Sequence, residues 1–261
     1  MTDAATLAAW QVRYEQRSFW RNRRAAFFAL AFPLMYLLVF GTLTHGATLD
    51  VRDHLSMIHF YVPGIIAYAV VLIGFNSVAM TFASRRTYGV FKRVRMTPLP
   101  WASYVGGMLG STVLVVALSV TIMLLVGTVL FGASFRVETL PGLLATLVLG
   151  TACFVTLGVA ASRLVAKPEN GIGILMVITL PLTFISNVWF PIDDAPRWVQ
   201  DLAGAFPLKP LADGVATAFD PSTAGGGWDR IAGHDLLVLA LWTVAGCAMM
   251  ANTMRSLSRR A

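Results

Sequence analysis

Long uninterrupted runs of apolar residues dominate the chain and alternate with short polar segments that carry its charge. A helix that crosses the hydrocarbon core of a bilayer needs about 20 mostly apolar residues. Six segments are long enough, and none of them contains Asp, Glu, Lys or Arg. The pattern predicts six transmembrane helices over residues 25–43, 61–83, 105–131, 142–162, 171–189 and 236–254.

Composition narrows the class further. Of the 261 residues, 57% are hydrophobic and 13% are charged, and the mean hydropathy is +0.70. The charged share is about half that of a soluble domain, which needs a polar shell, and a disordered chain would be far less hydrophobic. A transmembrane barrel would show short alternating segments instead of long apolar runs. The sequence therefore predicts an all-α polytopic membrane protein.

The net charge of +7 has a direct explanation in the loops. Alternate compartments contain 15 and 5 of the Lys and Arg residues, and cytoplasmic loops are the ones enriched in them. We therefore expect a plasma (inner) membrane protein with both termini in the cytoplasm, residues 1–24 and 255–261 flanking a transmembrane domain over 25–254. The net positive charge therefore reflects basic cytoplasmic loops, and we expect no nucleic-acid partner.

The segment before the first predicted span favours a helix at the membrane surface. Residues 7–24 contain no Pro or Gly, and aromatic residues flank a basic stripe, which suits the headgroup region. The alternative is a plain basic anchor. The stripe consists of Arg13, Arg17, Arg21 and Arg24, and the aromatic residues are Trp10, Tyr14 and Trp20.

Several chemistries have no matching residues in the sequence. None of the three lysines follows a glycine, so the P-loop of an ATPase is absent, and Cys153 and Cys247 lie in apolar runs that offer no metal site. Ion-coupled carriers usually keep costly charged residues at membrane depth, and the predicted spans have none. Energy for transport would then come from a partner. A carrier, a membrane enzyme and a structural anchor remain as alternatives.

Two polar segments have patterns of their own. Residues 85–100 carry five basic residues and no acidic one, and Pro98 and Pro100 must stop a helix there. They predict a short basic helix, in which Val90, Phe91 and Val94 suit the groove of a partner. After the fifth span, prolines divide residues 196–219 into short, half-apolar helices that lie at the interface or dip into the bilayer.

These segments resemble a known family. The stretches RRTYGVFKRVRMTPLPWASYVGG (85–107), LPLTFISNVWFPIDDAPRWVQDLAGAFPLKPLADGV (180–215) and FPLMYLLVFG (32–41), with the order of the spans, are similar to the ABC-2 type permeases. The likeness covers nearly the whole chain. It includes the daunorubicin-resistance and multidrug branch, along with nodulation-factor and polysaccharide exporters.

The resemblance implies an ABC-2 (type V exporter-like) fold with an N-terminal interfacial helix and a re-entrant pair over 196–219. Two permease chains, identical or related, would pair among membrane lipids, each resting on a cytoplasmic ABC ATPase subunit. That subunit would bind ATP and Mg, so this chain would be no enzyme and would hold no cofactor. The cargo would be amphipathic drugs, antibiotics or lipid-like compounds, with lipid-linked glycans as the alternative.

The resemblance also assigns roles to residues. It places a coupling helix for the ATPase at Arg85, Arg86, Gly89, Phe91, Lys92, Arg93 and Arg95, with a smaller contact over 163–170. It places the pathway between spans two and five, where polar and aromatic candidates are Tyr68, Phe75, Asn76, Thr183, Phe184 and Asn187.

Within these sets, Asn76 is the first candidate for a side chain that faces the cavity, because a buried amide is costly without a partner. An interhelical hydrogen bond is the alternative. Gly106, Gly110 and Gly158 predict close helix contacts, either at a dimer seam or in ordinary packing.

Overall fold

The computed structural model describes residues 4–44, 48–49, 55–97, 99–133, 137–192, 195–219 and 233–259. Helices α1 to α6 cover Ala4–Arg21, Arg23–Leu43, Met57–Val71, Val78–Thr87, Val90–Arg95 and Trp101–Phe131. Helices α7 to α11 cover Leu140–Ala161, Gly171–Phe184, Arg197–Ala205, Leu208–Ala216 and Gly233–Arg259. Single 3₁₀ turns occupy Val137–Thr139, Pro168–Asn170 and Thr217–Phe219, and a two-stranded antiparallel ribbon pairs β1 (Thr48–Leu49) with β2 (Leu55–Ser56).

Five helices in the described ranges are long and apolar enough to cross a bilayer: Ala26–Leu43, Met57–Thr87, Trp101–Phe131, Leu140–Ala161 and Gly233–Arg255. The second is continuous because a π-helical segment, Leu72–Ser77, joins α3 to α4. The prediction of an all-α polytopic membrane protein is confirmed. At the fifth predicted span the apolar helix is shorter, Pro168–Phe184, and ends well before residue 189.

Helix α6 shows how the sequence sets the ends of the helices. It begins directly after Pro100 and ends at Gly132, whose φ of 67° is left-handed, and the amide of Ala133 donates to the Gly127 carbonyl. Its 31 residues span about 46 Å, more than the hydrocarbon core of about 30 Å. Pro98, part of the predicted stop, lies outside the described residues.

The N-terminal helix α1 packs along α6. A Cβ atom at Gly107 would lie 2.5 Å from Cβ of Gln11, so the two helices approach closely there. Gln16 Nε2 also donates hydrogen bonds to the carbonyl and hydroxyl oxygens of Ser111, at 2.9 and 3.1 Å. Of the predicted close contacts, Gly110 approaches Val12 on α1 and Gly158 lies against the π-helical segment, whereas a Cβ at Gly106 would meet no atom within 4 Å.

The exposed side of α1 combines aromatic and basic residues instead of separating them. Helix α1 ends at Arg21, so Arg24 belongs to α2 and the predicted basic stripe is interrupted. The remaining members of the predicted set share the exposed side: Trp10, Arg13, Tyr14, Arg17, Trp20 and Arg21.

Helix α10 enters the bundle and runs antiparallel to α7. Leu211 fills the space above Gly150, and Gly214 lies against Thr146. The Thr139 hydroxyl donates a hydrogen bond to the Ala218 carbonyl at 3.4 Å. Gly150 is about 15 Å along α7 from its first residue. The α9–α10 pair is therefore re-entrant, and its buried backbone is enclosed by protein.

The early end of α8 has a structural cause. After Phe184 the chain turns inside the bundle, and Gly64 on α3 makes room, since a Cβ atom there would lie 2.7 Å from the Val188 carbonyl. Asn187 adopts a positive φ of 56°, which Asn tolerates better than most residues. Its Oδ1 accepts a hydrogen bond from the Ile192 amide and its Nδ2 donates one to Asp213, each 2.9 Å long.

The same region carries charge outside the six predicted spans. The six predicted segments contain none, but α10, which packs against α3, α7 and α11, carries an ion pair. Lys209 Nζ lies 3.9 Å from an Asp213 carboxylate oxygen, and both side chains are partly buried. The pair lies on α10, outside every predicted span, so the count over those spans missed it.

Candidate functional site

The predicted coupling segment lies at one end of the bundle, which we call the basic end. Here α4 ends, α5 forms a short helix and α6 begins. Gly89, between α4 and α5, has a left-handed φ of 67°, which a residue without a Cβ adopts at little cost. Glycine thus permits the sharp turn that separates α5 from the long helix before it.

Arg85 points into the protein at this end. Its Nη1 donates to Oε1 of Glu15 on α1 at 2.7 Å and to the Tyr104 hydroxyl on α6 at 2.6 Å, and its Nη2 donates to the second Glu15 oxygen. The Glu15 and Arg85 side chains are only 7% and 19% exposed. Gln11 Nε2 donates a further hydrogen bond to Glu15 at 2.8 Å. One charged network therefore joins α1, α4 and α6.

Two more members of the predicted set also contact the protein interior. Arg86 donates a hydrogen bond to the carbonyl oxygen of Val165, in the loop between α7 and α8. Phe91 is buried in a second apolar cluster beside Phe82 and Trp101, with ring centroids 5.8 and 5.3 Å from its own. Arg85, Arg86 and Phe91 thus attach the segment to α1, α4, α6 and a loop and leave little of themselves for a partner.

The surface that the segment offers to solvent is smaller than the predicted set. Lys92 and Arg93 are exposed on α5, flanked by Tyr88 and Met96, which are 60% and 90% exposed. Arg95 lies over the ring of Trp101, with its guanidinium carbon 5.2 Å from the centroid. We call Tyr88, Lys92, Arg93 and Met96 the α5 face.

The pathway candidates do not share one surface. Phe75 lines an apolar cavity of about 590 Å³ between α7, α8, α11 and the α9–α10 turn. Tyr68 belongs to an aromatic cluster with Tyr36 and Trp189 on the far side of α3. The remaining candidates point elsewhere: the buried Thr183 hydroxyl donates to the Leu180 carbonyl at 2.8 Å, and the half-exposed Phe184 stacks on Phe190.

The Asn187 side chain has a structural role and does not face an open surface. Its amide is committed to the turn after α8 and to Asp213, as described above. A side chain with both polar atoms engaged and 5% exposure has no free group for a cargo molecule in this conformation.

Asn76 is the unusual member of the set. It lies in the π-helical segment, 8% exposed, and neither Nδ2 nor Oδ1 finds a hydrogen-bond partner in the described part of the chain. The predicted alternative, an interhelical hydrogen bond, is therefore not observed. π-Helical insertions concentrate at functional sites, and a buried amide without a partner is costly, so this position is a candidate for a functional role.

Comparison with known proteins now assigns the family. The sequence profile of the family described as "ABC-2 type transporter" matches residues 8–219, which run from α1 through α10. This chain belongs to the ABC-2 type transporter family. It is also 34% identical over 194 residues to a protein of Streptomyces coeruleorubidus named daunorubicin resistance ABC transporter permease protein DrrB1. That alignment covers 69% of this chain and 63% of the relative's length.

Membership of the ABC-2 family makes this a multi-pass membrane protein of the kind that forms the membrane subunit of ABC transporters. The matched range includes the basic end, the π-helical segment and the re-entrant pair. Sequence reasoning missed Glu15 and Tyr104 in this ABC-2 protein. One signal was available for Glu15, because it is the one acid among the arginines of residues 13–24.

Proposed function

We propose that this chain is the permease subunit of an ABC exporter that moves amphipathic drugs or antibiotics out of the cell. A separate ATPase subunit binds and hydrolyses ATP with Mg, and a second permease chain completes the pathway. The drug class is supported by the relative's name. The excess of Lys and Arg in alternate loops supports a cytoplasmic location for the basic end and both termini.

The observation that carries the proposal is the α5 face. Exposed aromatic and thioether groups flank the exposed cations of a short helix whose other side is fixed in the bundle. Such a combination, with large apolar side chains beside cations, is typical of a surface that binds another protein. An ATPase subunit docked there pushes on a helix that Phe91 packs against α4 and α6, and Arg85 joins α4 to α1 and α6.

The push then becomes a rearrangement of the spans. Packed helices switch between discrete arrangements, so a rigid-body displacement at the basic end reaches the pathway through α4 and the π-helical segment above it. Asn76 gains hydrogen-bond partners when that segment opens to water or cargo. The π-helical segment is the hinge of this mechanism.

The test is copurification and transport with a double charge reversal on the α5 face. Lys92→Glu with Arg93→Glu should abolish retention of the ATPase subunit and drug efflux, while membrane insertion stays normal. Arg13→Glu with Arg17→Glu is the matched control, since it reverses two exposed arginines on α1. Normal ATPase retention and efflux by the α5 variant would contradict the docking role. A permease that purifies without any ATP-binding subunit would contradict the proposed exporter function.

A further inference from the structure

The apolar cavity that Phe75 lines has one cationic end. Its walls come from α3 with the π-helical segment, α7, α8, α11 and the turn between α9 and α10. Three side chains in the lining have polar atoms: Arg163, Thr179 and Trp242. The Thr179 hydroxyl donates to the Leu175 carbonyl at 3.0 Å, and Trp242 Nε1 donates to the Ala205 carbonyl at 2.8 Å.

Arg163 is therefore the polar group that remains. It is exposed at the mouth of the cavity, just after α7 ends, and its side chain has no ion pair or hydrogen bond with any residue in the described ranges. Leu164 beside it is 57% exposed, so the cavity opens to the surroundings at this point. The mouth is at the basic end of the bundle.

The cavity is also elongated along the helices. Its lining on α11 extends from Trp242 to Met249 and on α7 from Phe154 to Ala161, about 10 Å of each helix, and it continues to Arg163 and Leu164 just beyond α7. Phe206 stacks on Trp242 at its deep end, with ring centroids 6.0 Å apart. A slot of this length, apolar throughout and cationic at its mouth, matches an amphiphile with a flexible chain and an anionic head.

We infer that this cavity binds one acyl chain of an anionic phospholipid, drawn from the leaflet at the basic end, with its phosphate held by Arg163. Lipid acyl chains surround a multi-pass protein at this depth, so they are more concentrated at the opening of the cavity than any other ligand. A planar guanidinium binds phosphate through paired hydrogen bonds, and an arginine near a helix end reaches the headgroup region. Charge complementarity thus selects an anionic lipid over a zwitterionic one.

Photolabelling of the full chain in lipid nanodiscs tests this site. Two probes carry the same diazirine-labelled acyl chain, one on phosphatidylglycerol and one on phosphatidylcholine, each at low fraction in a phosphatidylcholine bilayer. Mass spectrometry of the digested protein then locates the labels. The phosphatidylglycerol probe should label the α7 and α11 walls several-fold more than its counterpart does. Equal labelling by the two probes would overturn the inference.

Matched variants separate the cavity from general attraction to basic loops. Arg163→Gln should remove the preference for phosphatidylglycerol, and Lys167→Gln, an exposed cation in the same loop but outside the lining, should keep it. Ile178→Trp fills the cavity and should lower labelling by both probes. Ile174→Trp, one turn away on α8 and outside the lining, should leave labelling unchanged.

Three results would overturn the site: equal loss in the two loop variants, equal loss in the two tryptophan variants, or displacement of the lipid label by a transported drug. None of these measurements uses ATP or the ATPase subunit. A negative result therefore leaves the proposed exporter function untouched.

Discussion

Arg85 on α4 and Glu15 on α1 form a bidentate ion pair that is largely hidden from solvent. The two residues are 70 positions apart in sequence. Their contact makes the N-terminal helix part of the same rigid unit as the segment that precedes α5, and Tyr104 extends that unit to α6. A helix whose exposed side suits the membrane surface is thus also fixed to the coupling segment.

Breaking one side of this pair should destabilise the protein strongly. Arg85→Met leaves the buried Glu15 carboxylate with Gln11 as its remaining donor, and removing one partner of a buried pair typically costs about 3–5 kcal/mol. We expect a clearly lower Tm for the purified permease and weaker drug-stimulated ATPase activity in the complex. Arg17→Met, an exposed arginine on α1, is the control and should leave both unchanged.

A double variant then separates charge from packing. Glu15→Met with Arg85→Met removes both charges together, so no unpaired buried charge remains, and apolar replacements of a buried pair are often neutral. Stability should return most of the way to wild type. A double variant as unstable as Arg85→Met alone would show that the pair is not the cause.

The contact between α7 and the π-helical segment leads to a second prediction. A Cβ atom at Gly158 would lie 2.7 Å from the Gly74 carbonyl oxygen and 2.8 Å from that of Phe75, and both are backbone atoms with little room to move. Gly158→Ala should therefore separate the helices, lower the Tm and reduce transport, at a cost of about 1–3 kcal/mol. Gly106→Ala is the matched control in another span.

The control has an expected sign of its own. A Cβ at Gly106 meets no atom within 4 Å, and alanine favours a helix by up to about 1 kcal/mol over glycine. Gly106→Ala should be neutral or slightly stabilising. Equal destabilisation by the two substitutions would mean that glycine flexibility, and not close approach, matters at these positions.

Asn76 gives a prediction in which the protein becomes more stable while its function changes. Asn76→Leu replaces a buried amide that lacks hydrogen-bond partners among the described residues, which should raise the free energy of unfolding by about 1–3 kcal/mol. In the proposed mechanism the same change removes a polar group of the opened pathway, so it should alter drug preference. Thermal unfolding and efflux of several drugs measure the two effects.

Asn252→Leu, an exposed amide on α11, is the control and should change neither quantity. An Asn76→Leu variant with an unchanged efflux profile would remove Asn76 from the pathway. A destabilised variant would show instead that the amide has a partner in the complete membrane assembly.

The sequence predicted the features that depend on local chemistry. Apolar run length located the long membrane helices, and Pro100, part of the predicted stop after the basic helix, lies directly before α6. It also predicted short helices after the fifth span, because Pro196 and Pro207 divide that segment, and the family resemblance implied that they form a re-entrant pair. These features depend on residues that are close in the chain.

Features that depend on distant partners were not accessible in this way. Nothing near Arg85 indicates that it faces Glu15, and a residue count over the spans cannot detect the ion pair that α10 carries into the bundle. The end of α8 is similar. An apolar sequence continues to residue 189, and the helix stops early because Val188 packs on Gly64 and Asn187 finds Asp213.

The hydrogen bond between Asn187 and Asp213 can be tested by a substitution that keeps the shape of the side chain. Asn187→Asp keeps the size and the acceptor for the Ile192 amide, but it places a second carboxylate against Asp213 and removes the Nδ2 donor. Loss of a buried hydrogen bond alone costs about 1–3 kcal/mol, and charge repulsion adds to it. A lower Tm is expected.

Adding Asp213→Asn restores one donor and one carboxylate with reversed roles, and it should recover much of the loss. Asn187→Gly, which keeps the positive φ without the amide, should be destabilised to an extent that Asp213→Asn does not rescue. Rescue of the glycine variant, or none of the aspartate variant, would mean that the Asn187–Asp213 hydrogen bond does not hold the end of α8.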